Sequence, residues 1–381
     1  MCLKILFRGN GEKHLTKEEG KGKREESKRK RARNKAGEGA CHLFSSGAIT
    51  ANADCELVVG CDIDEERRLL FAQKWRVPVY ADAAEMLRVH KPQILAIATH
   101  PDSHYRYCRL AADSGVQAVI CEKPLADNIG EARKIARLAE NGLAIITNHE
   151  RRYAEDYIRA KAILDSGKLG LLLSARAVLC MGRTKRLLDV LWHDGTHLAD
   201  TLMYLTGMTL KHKKRWGAKL TANAGTAWLL AKEKIKGKKE KSKIIVSKRD
   251  FCRDDERTYR ALPFFSFLSS FFSRQSPIPI TIELGAGRDH IIFEMEFSCE
   301  KGRLRIGNGV FEVLESVPSP YAEKFRSLRR TDETFSGPTG YFANMVKDAV
   351  ACAKDPGRQP RSSAADGLRV IEYLHSIKAW G

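Results

Sequence analysis

Three groups of residues in this chain have types and spacings that could do chemistry. Lys123 follows the apolar run Ala118 to Cys121, stands next to Glu122 and precedes Pro124. A lysine at the end of a buried strand, held extended by the following proline, can take or return a hydroxyl proton where water is excluded. The other reading is a surface lysine paired with Glu122. The second group is His193, Asp194 and His197. Asp194 lies three positions and His193 four positions before His197, so each shares a helical face with it, and a carboxylate there could orient an imidazole acting as acid or base. Two histidines at i and i+4 also suit zinc, but no third ligand or general-base glutamate is spaced to complete a site, and no metal is expected.

The third group lies nearer the N-terminus. Lys4 to Phe7 reads as a strand, and Gly9-Asn10-Gly11 opens the kind of turn whose glycines let a backbone approach a pyrophosphate. His14 stands where a third glycine belongs, and Gly37-Glu38-Gly39 is a second partial match. The simplest account is an insertion at 12–36 that separates two halves of one turn; the plain alternative is two ordinary glycine loops. Asp62 closes the run CELVVGC. An acidic side chain there accepts both ribose hydroxyls of NAD and repels the 2′-phosphate of NADP. Neutral Ile63, where an NADP site often supplies an arginine, points the same way. NAD is therefore the expected cofactor and NADP the alternative, while a plain surface aspartate is the competing account of Asp62.

The elements that must position these groups follow from periodicity. Strands are expected at Cys55 to Cys61, Gln93 to Thr99, Ala118 to Cys121 and Leu143 to Thr147, with a short apolar segment at Val77 to Tyr80. Helices are expected at Asp64 to Trp75, Asp82 to His90, Ser103 to Ser114 and Asn128 to Asn141. Such alternation produces a doubly wound parallel sheet that binds its ligand at the carboxyl ends of the strands. After residue 150 the pattern changes to a helix, Ala154 to Ser166, and alternating segments at Leu172 to Leu179, Ile278 to Leu284, Ile291 to Phe297 and Arg303 to Leu314, expected as antiparallel strands. A helix carries Asp194 to Leu205, and two more, Tyr341 to Ala353 and Ala364 to Ala379, close the chain. The fold class is thus α/β plus α+β. The expected division is a dinucleotide-binding domain over 1–150, a substrate and oligomerisation domain over 151–340, and C-terminal helices over 341–381 that pack back on the body.

Composition limits the function. The 381 residues are 43% hydrophobic and 30% charged, as in globular proteins, and the longest apolar run, Phe264 to Phe272, is too short to span a bilayer. No cleavable leader is read at the N-terminus, so a cytoplasmic location is expected. The ten cysteines form no C-x-x-C pair and are expected to be reduced and buried. The net charge of +19 is concentrated: residues 12–36 hold 11 Lys and Arg against 5 acidic residues, and residues 211–250 hold 14 against 3. Neither run is interleaved with aromatics as a base-stacking platform would be, so both are expected as solvated insertions, the second reaching about 275, and no specific nucleic-acid or membrane partner is expected. A basic nucleic-acid partner through 211–250 would show itself by a strong salt dependence.

Several runs together resemble the glucose-fructose oxidoreductase and inositol dehydrogenase (Gfo/Idh/MocA) family: ATHPDSH at 98–104, AADSGVQAVICEKPLA at 111–126, NHERRY at 148–153, AILDSGKLG at 162–170, HDGTHLADTLMYLTG at 193–207 and DGLRVIEYLHSI at 366–377. By that resemblance Thr99, His104, Glu122 and Lys123 line the cofactor, Lys123 and His197 face the substrate, and Arg152 matches an arginine that contacts cofactor or substrate. His100 replaces a proline usual in the family. His193 occupies the position of the family aspartate of a D-x-G-x-H pattern, with Asp194 one step late, and either could do its work. The resemblance implies an NAD(P)-dependent oxidoreductase moving a hydride between nicotinamide and a secondary alcohol or carbonyl of a sugar, polyol or cyclic diol. It also implies a homodimer or larger homo-oligomer through the second sheet. The alternative is a catalytically silent nucleotide- or sugar-sensing protein on the same fold.

Overall fold

The computed structural model describes residues 3–7, 55–182, 186–233 and 278–378. Gly9, Gly11, the basic run 12–36 and the aromatic run 264–275 lie outside the described residues.

Six strands make the first sheet: β1 (Leu3–Phe7), β2 (Cys55–Cys61), β3 (Val79–Tyr80), β4 (Ile94–Ile97), β5 (Ala118–Cys121) and β6 (Ala144–Thr147). Their order is β3-β2-β1-β4-β5-β6 and every pairing is parallel. This is the doubly wound order, in which the chain changes direction between β1 and β4 and leaves a crevice at the carboxyl ends. The connecting helices are α1 (Glu65–Trp75), α2 (Ala83–His90), α3 (His104–Asp113) and α4 (Ile129–Glu140). Three of them start where a short polar side chain caps the first turn. Asp64 accepts from the Arg67 amide, Asp82 from Glu85 and Asn128 from Glu131.

Both faces of this sheet are covered, which is why its strands read as continuous apolar runs. Leu95, Ile97, Val119 and Ile145 pack on one side with Met86, Leu87, Cys108 and Ile135. Ile94, Ala96, Ile120 and Ile146 pack on the other with Phe71 and with Phe342, Met345, Val346 and Ala349 of α7 (Tyr341–Lys354). The last helix, α8 (Ala364–Lys378), packs on α4. It comes so close that a methyl group on Gly367 would meet Thr147 Oγ1 at 2.6 Å and Leu125 Cβ at 3.0 Å.

Beyond β6 the chain forms α5 (Glu155–Asp165), α6 (Gly195–Thr206) and the eight strands β7 (Leu172–Cys180), β8 (Leu210–Gly217), β9 (Gly225–Glu233), β10 (Pro279–Ala286), β11 (Ile292–Cys299), β12 (Gly302–Gly307), β13 (Val310–Pro318) and β14 (Arg326–Arg330). Their order is β14-β13-β12-β11-β7-β10-β9-β8. Ala175, Ala177 and Leu179 of β7 alternate with outward residues, and with Ile280, Ile282, Leu284, Phe293, Met295 and Phe297 they form the face buried against α5 and α6. Burying such side chains contributes about 1.5–3 kcal/mol each. The outward ion pairs, such as Arg176 with Glu283 and Arg305 with Glu312, contribute about 0–1 kcal/mol each. The apolar face therefore holds the sheet to its helices.

Four expectations need correction. The sheet is mixed, because β7 and β10 run parallel. Residues 210–233 are not an insertion: Ala227, Leu229 and Ala231 alternate inward on β9, which pairs with both β8 and β10, so Lys211, Lys213, Lys214 and Lys232 sit on strands. Arg303 to Leu314 is a hairpin of two strands, β12 and β13, and β14, with its run of exposed arginines, was not expected. Among the described residues no helix is long and apolar enough to cross a membrane.

Candidate functional site

The carboxyl end of β5 sets the geometry. Glu122 continues the strand by donating its amide to the Ile97 carbonyl at 2.9 Å, and the cis Lys123–Pro124 peptide follows. The Glu122 side chain is buried, with Oε1 accepting from Asn148 Nδ2 at 2.6 Å and Oε2 from the Lys123 amide at 3.3 Å. Burial pushes this carboxyl up to about 7, against the opposing pull of Asn148 and Lys123. Lys123 thus does not pair with Glu122 through its ammonium. Its Nζ reaches across to the second sheet's helix system and donates to the His193 carbonyl at 2.9 Å.

His193 belongs to a π-helical turn, Val190–Asp194, that runs directly into α6. Its carbonyl accepts from Thr196 Oγ1 as well as from Lys123, and its side chain is exposed. His197 stands in the first turn of α6, with Nδ1 buried and without a hydrogen-bond partner among the described residues. Burial holds this imidazole well below its ordinary pKa, and the positive charges of Lys123 and Arg151 push it the same way, so it is neutral at physiological pH. The carboxylate of Asp194, expected to orient the ring, makes no hydrogen bond to Nδ1.

A buried carboxylate does lie one turn further along α6. Asp200 accepts from Arg152 Nε at 2.9 Å, from Arg152 Nη2 at 2.8 Å and from His149 Nδ1 at 2.9 Å. Arg152 also reaches Asp366 at 3.1 Å and the Arg361 carbonyl at 3.1 Å. Burial works against the charge on Asp200, but Arg152 and His149 outweigh it and hold the carboxyl well below the usual range. This corrects the expectation for Arg152: its guanidinium is taken up inside the protein, tying the 3-10 turn Glu150–Tyr153 to α6 and α8. Arg151 is the neighbour whose charge bears on His197. Arg151, His149 and Asp200 were missed in the sequence reading. The NHERRY run contains two of them, and only the pairing with α6 distinguishes the two arginines.

At the other side of the crevice Asp62, Ile63 and Thr99 line a small recess of ≈ 40 Å³ together with Ala98, Leu87 and Tyr107, open to solvent on one side. Asp62 is buried to 3% exposure at the end of β2, where Oδ1 accepts the Asp64 amide at 3.0 Å, and Ile63 is exposed. A buried carboxylate at the end of the second strand, beside an apolar slot, fits the adenosine half of a dinucleotide. His104 does not reach this recess. It is fully buried, its two ring nitrogens lie 3.0 Å from the Thr99 carbonyl and 3.1 Å from the Leu125 carbonyl, and it supports both loops from behind. His100, exposed on the same loop, sits 3.2 Å from Asp102 and 3.9 Å from Asp127.

Residues 36–149 match the model of the GFO_IDH_MocA oxidoreductase family, NAD-binding Rossmann fold. D-apiose dehydrogenase of Paraburkholderia graminis is 35% identical over 114 residues, covering 29% of this chain and 30% of that protein. Inositol 2-dehydrogenase of Pseudomonas fluorescens is 31% identical over 120 residues, covering 30% of this chain and 35% of that protein. The matches thus span about a third of the length of these curated relatives. The crystal structure of an oxidoreductase from Sinorhizobium meliloti superposes with a TM-score of 0.69 at 13% identity, over 100% of this chain and 97% of that one. The fold is therefore shared over the whole described chain, and the sequence likeness is concentrated in the parallel-sheet half.

Proposed function

We propose that this chain, whose residues 36–149 match the NAD-binding Rossmann model of the Gfo/Idh/MocA oxidoreductases, transfers a hydride between a nicotinamide dinucleotide and a secondary alcohol or carbonyl of a sugar or polyol. The observation that carries this reading is the hydrogen bond from Lys123 Nζ to the His193 carbonyl, which sets a lysine of the first sheet against the helix bearing His197. The bound dinucleotide supplies or takes the hydride. Asp62 would hold its adenosine ribose, and the acidic side chain at that position supports NAD over NADP. Thr99, Glu122 and Lys123 would border the nicotinamide half.

In the reduction direction Lys123 holds a proton at Nζ and delivers it to the substrate oxygen as the hydride arrives. His197, kept neutral, can donate a hydrogen bond to that oxygen without adding a second charge beside Lys123. In the oxidation direction the same path runs backwards: Lys123 Nζ receives the hydroxyl proton while the neutral imidazole keeps its hydrogen bond to the oxygen. Asp194 and His193 lie at the mouth of the same turn and would help shape the substrate side. A second reading, binding without turnover, is favoured by His197 Nδ1 having no carboxylate partner among the described residues.

Lys123→Ala separates the two. The variant is expected to bind NADH as the parent chain does while turnover falls by about 10²–10⁴. Parent and variant binding a sugar equally well, with neither oxidising NADH across a polyol and ketose panel, would replace the enzyme reading by the binding one.

A further inference from the structure

We propose that His100, Asp102 and Asp127 form a binding site for a divalent transition-metal ion such as Zn²⁺ at the carboxyl ends of β4 and β5. His100 is the residue of the ATHPDSH run that the hydride reading leaves without a task. Its Nδ1 lies 3.2 Å from Asp102 Oδ1 and 3.9 Å from Asp127 Oδ2. Ligand atoms of the three side chains all lie within 4.8 Å of one another. No histidine or cysteine spacing announces this group, because its members come from two different loops.

The geometry is near that of a bound ion. Ligands at about 2.0–2.1 Å from a tetrahedral zinc stand about 3.3 Å from each other. The separation of His100 and Asp102 already matches this, and Asp127 has to close by about 0.6 Å, which rotation of a partly exposed side chain supplies. The ligand types select the ion. Calcium and magnesium take oxygen sets, whereas an imidazole nitrogen beside carboxylate oxygens suits zinc and its first-row neighbours.

Charge points the same way. Among the described residues neither Asp102 nor Asp127 lies within ion-pair distance of a lysine or arginine, so two carboxylates converge on one imidazole nitrogen. A divalent ion satisfies all three groups at once. The competing account is a surface ion pair of His100 with Asp102, a weak interaction at such exposure that gives Asp127 no part.

The loops that carry the ligands are themselves fixed. The His100 carbonyl accepts from the Ser103 amide at 3.0 Å and from the Ser103 hydroxyl at 2.8 Å. Behind them, buried His104 lies between the Thr99 and Leu125 carbonyls and holds the two loops in register. An ion bound by His100, Asp102 and Asp127 would clip the same two loops together from the solvent side.

The inference does not rest on the hydride reading, and its test uses neither cofactor nor turnover. The full chain, reduced and freed of metal with a chelator, is titrated with Zn²⁺ and, as a spectroscopic probe, with Co²⁺. His100→Ala and Asp127→Asn are each expected to lose at least about tenfold in affinity for one equivalent of zinc, the loss that even an outer partner of a metal causes. Cobalt in that equivalent is expected to show weak visible bands without thiolate charge transfer, and His100→Ala to lose them. All three side chains are exposed or partly so, so the metal-free variants should melt with the parent, while zinc raises the melting temperature of the parent alone. No zinc bound by the parent, or equal uptake and equal melting shifts in parent and variants, would overturn the proposal. So would a loss in His100→Ala with Asp127→Asn unchanged, which would leave only the surface pair.

Discussion

At the scale of single residues, the site is governed by what burial does to charge. Glu122 is the clearest case, because its carboxyl is raised from an ordinary value of 4.5 to about 7. A carboxyl that holds its proton more tightly in the folded state contributes stability that is fully present below pH 4.5 and lost as pH rises through about 7. The loss amounts to about 3 kcal/mol at most. Between pH 5 and pH 8 the parent chain should therefore lose stability relative to Glu122→Gln, which has no proton to release there; parallel melting curves at the two pH values would contradict this. The motifs around Lys123 and His197 singled these residues out in the sequence, and the structure brings Lys123 Nζ to the His193 carbonyl, one helical turn before His197. What motif reading could not supply was the partner of each group. The i, i+3 spacing pointed to Asp194 as the orienting carboxylate, but a π-helical turn ends at that residue and changes the face it presents. In the pair Arg151 and Arg152 the two types are identical, so only the long-range contact to Asp200 tells which is structural.

At the scale of elements, the site depends on how α6 is held against the turn Glu150–Tyr153. Asp200 does this with one buried carboxylate shared between Arg152 and His149. Replacing it by asparagine leaves Arg152 with Asp366 alone and should cost about 3 kcal/mol at neutral pH. Because the folded carboxyl is held below its ordinary range, that stability is present above about pH 4 and is lost as the pH falls further. Denaturant titration of Asp200→Asn at pH 7 and pH 3.5 tests both statements, the gap from the parent narrowing by only about 0.6 kcal/mol at the lower value because the folded carboxyl is still ionised there. The elements of the parallel sheet were legible almost to the residue, since β4, β5 and β6 are nearly continuous buried runs and three of the four helices start at a capping side chain. The second sheet was less so. Its strand β9 alternates buried Ala227, Leu229 and Ala231 with Trp228, Leu230 and Lys232, so it reads as a plain apolar run, and the lysine-rich β8 before it concealed the strand pair. The parallel β7–β10 pairing joins strands separated by roughly a hundred residues, and no local pattern encodes it.

At the scale of the whole molecule, two sheets of different kinds meet along one crevice. The doubly wound sheet contributes Asp62, Thr99, Glu122 and Lys123 from the carboxyl ends of its strands, and the helix on the mixed sheet contributes His197. The proposed hydride transfer would use both sides, a dinucleotide on the first and a sugar or polyol against the second. The measurement that bears most directly on this account is a titration of the purified full chain with NADH and, separately, NADPH, following nicotinamide fluorescence. The account predicts NADH binding in the micromolar range, about −8 kcal/mol, retained in Lys123→Ala, and weaker binding of NADPH because its 2′-phosphate meets the Asp62 carboxylate. Binding of neither dinucleotide would contradict it, and equal or tighter binding of NADPH would remove the role given to Asp62.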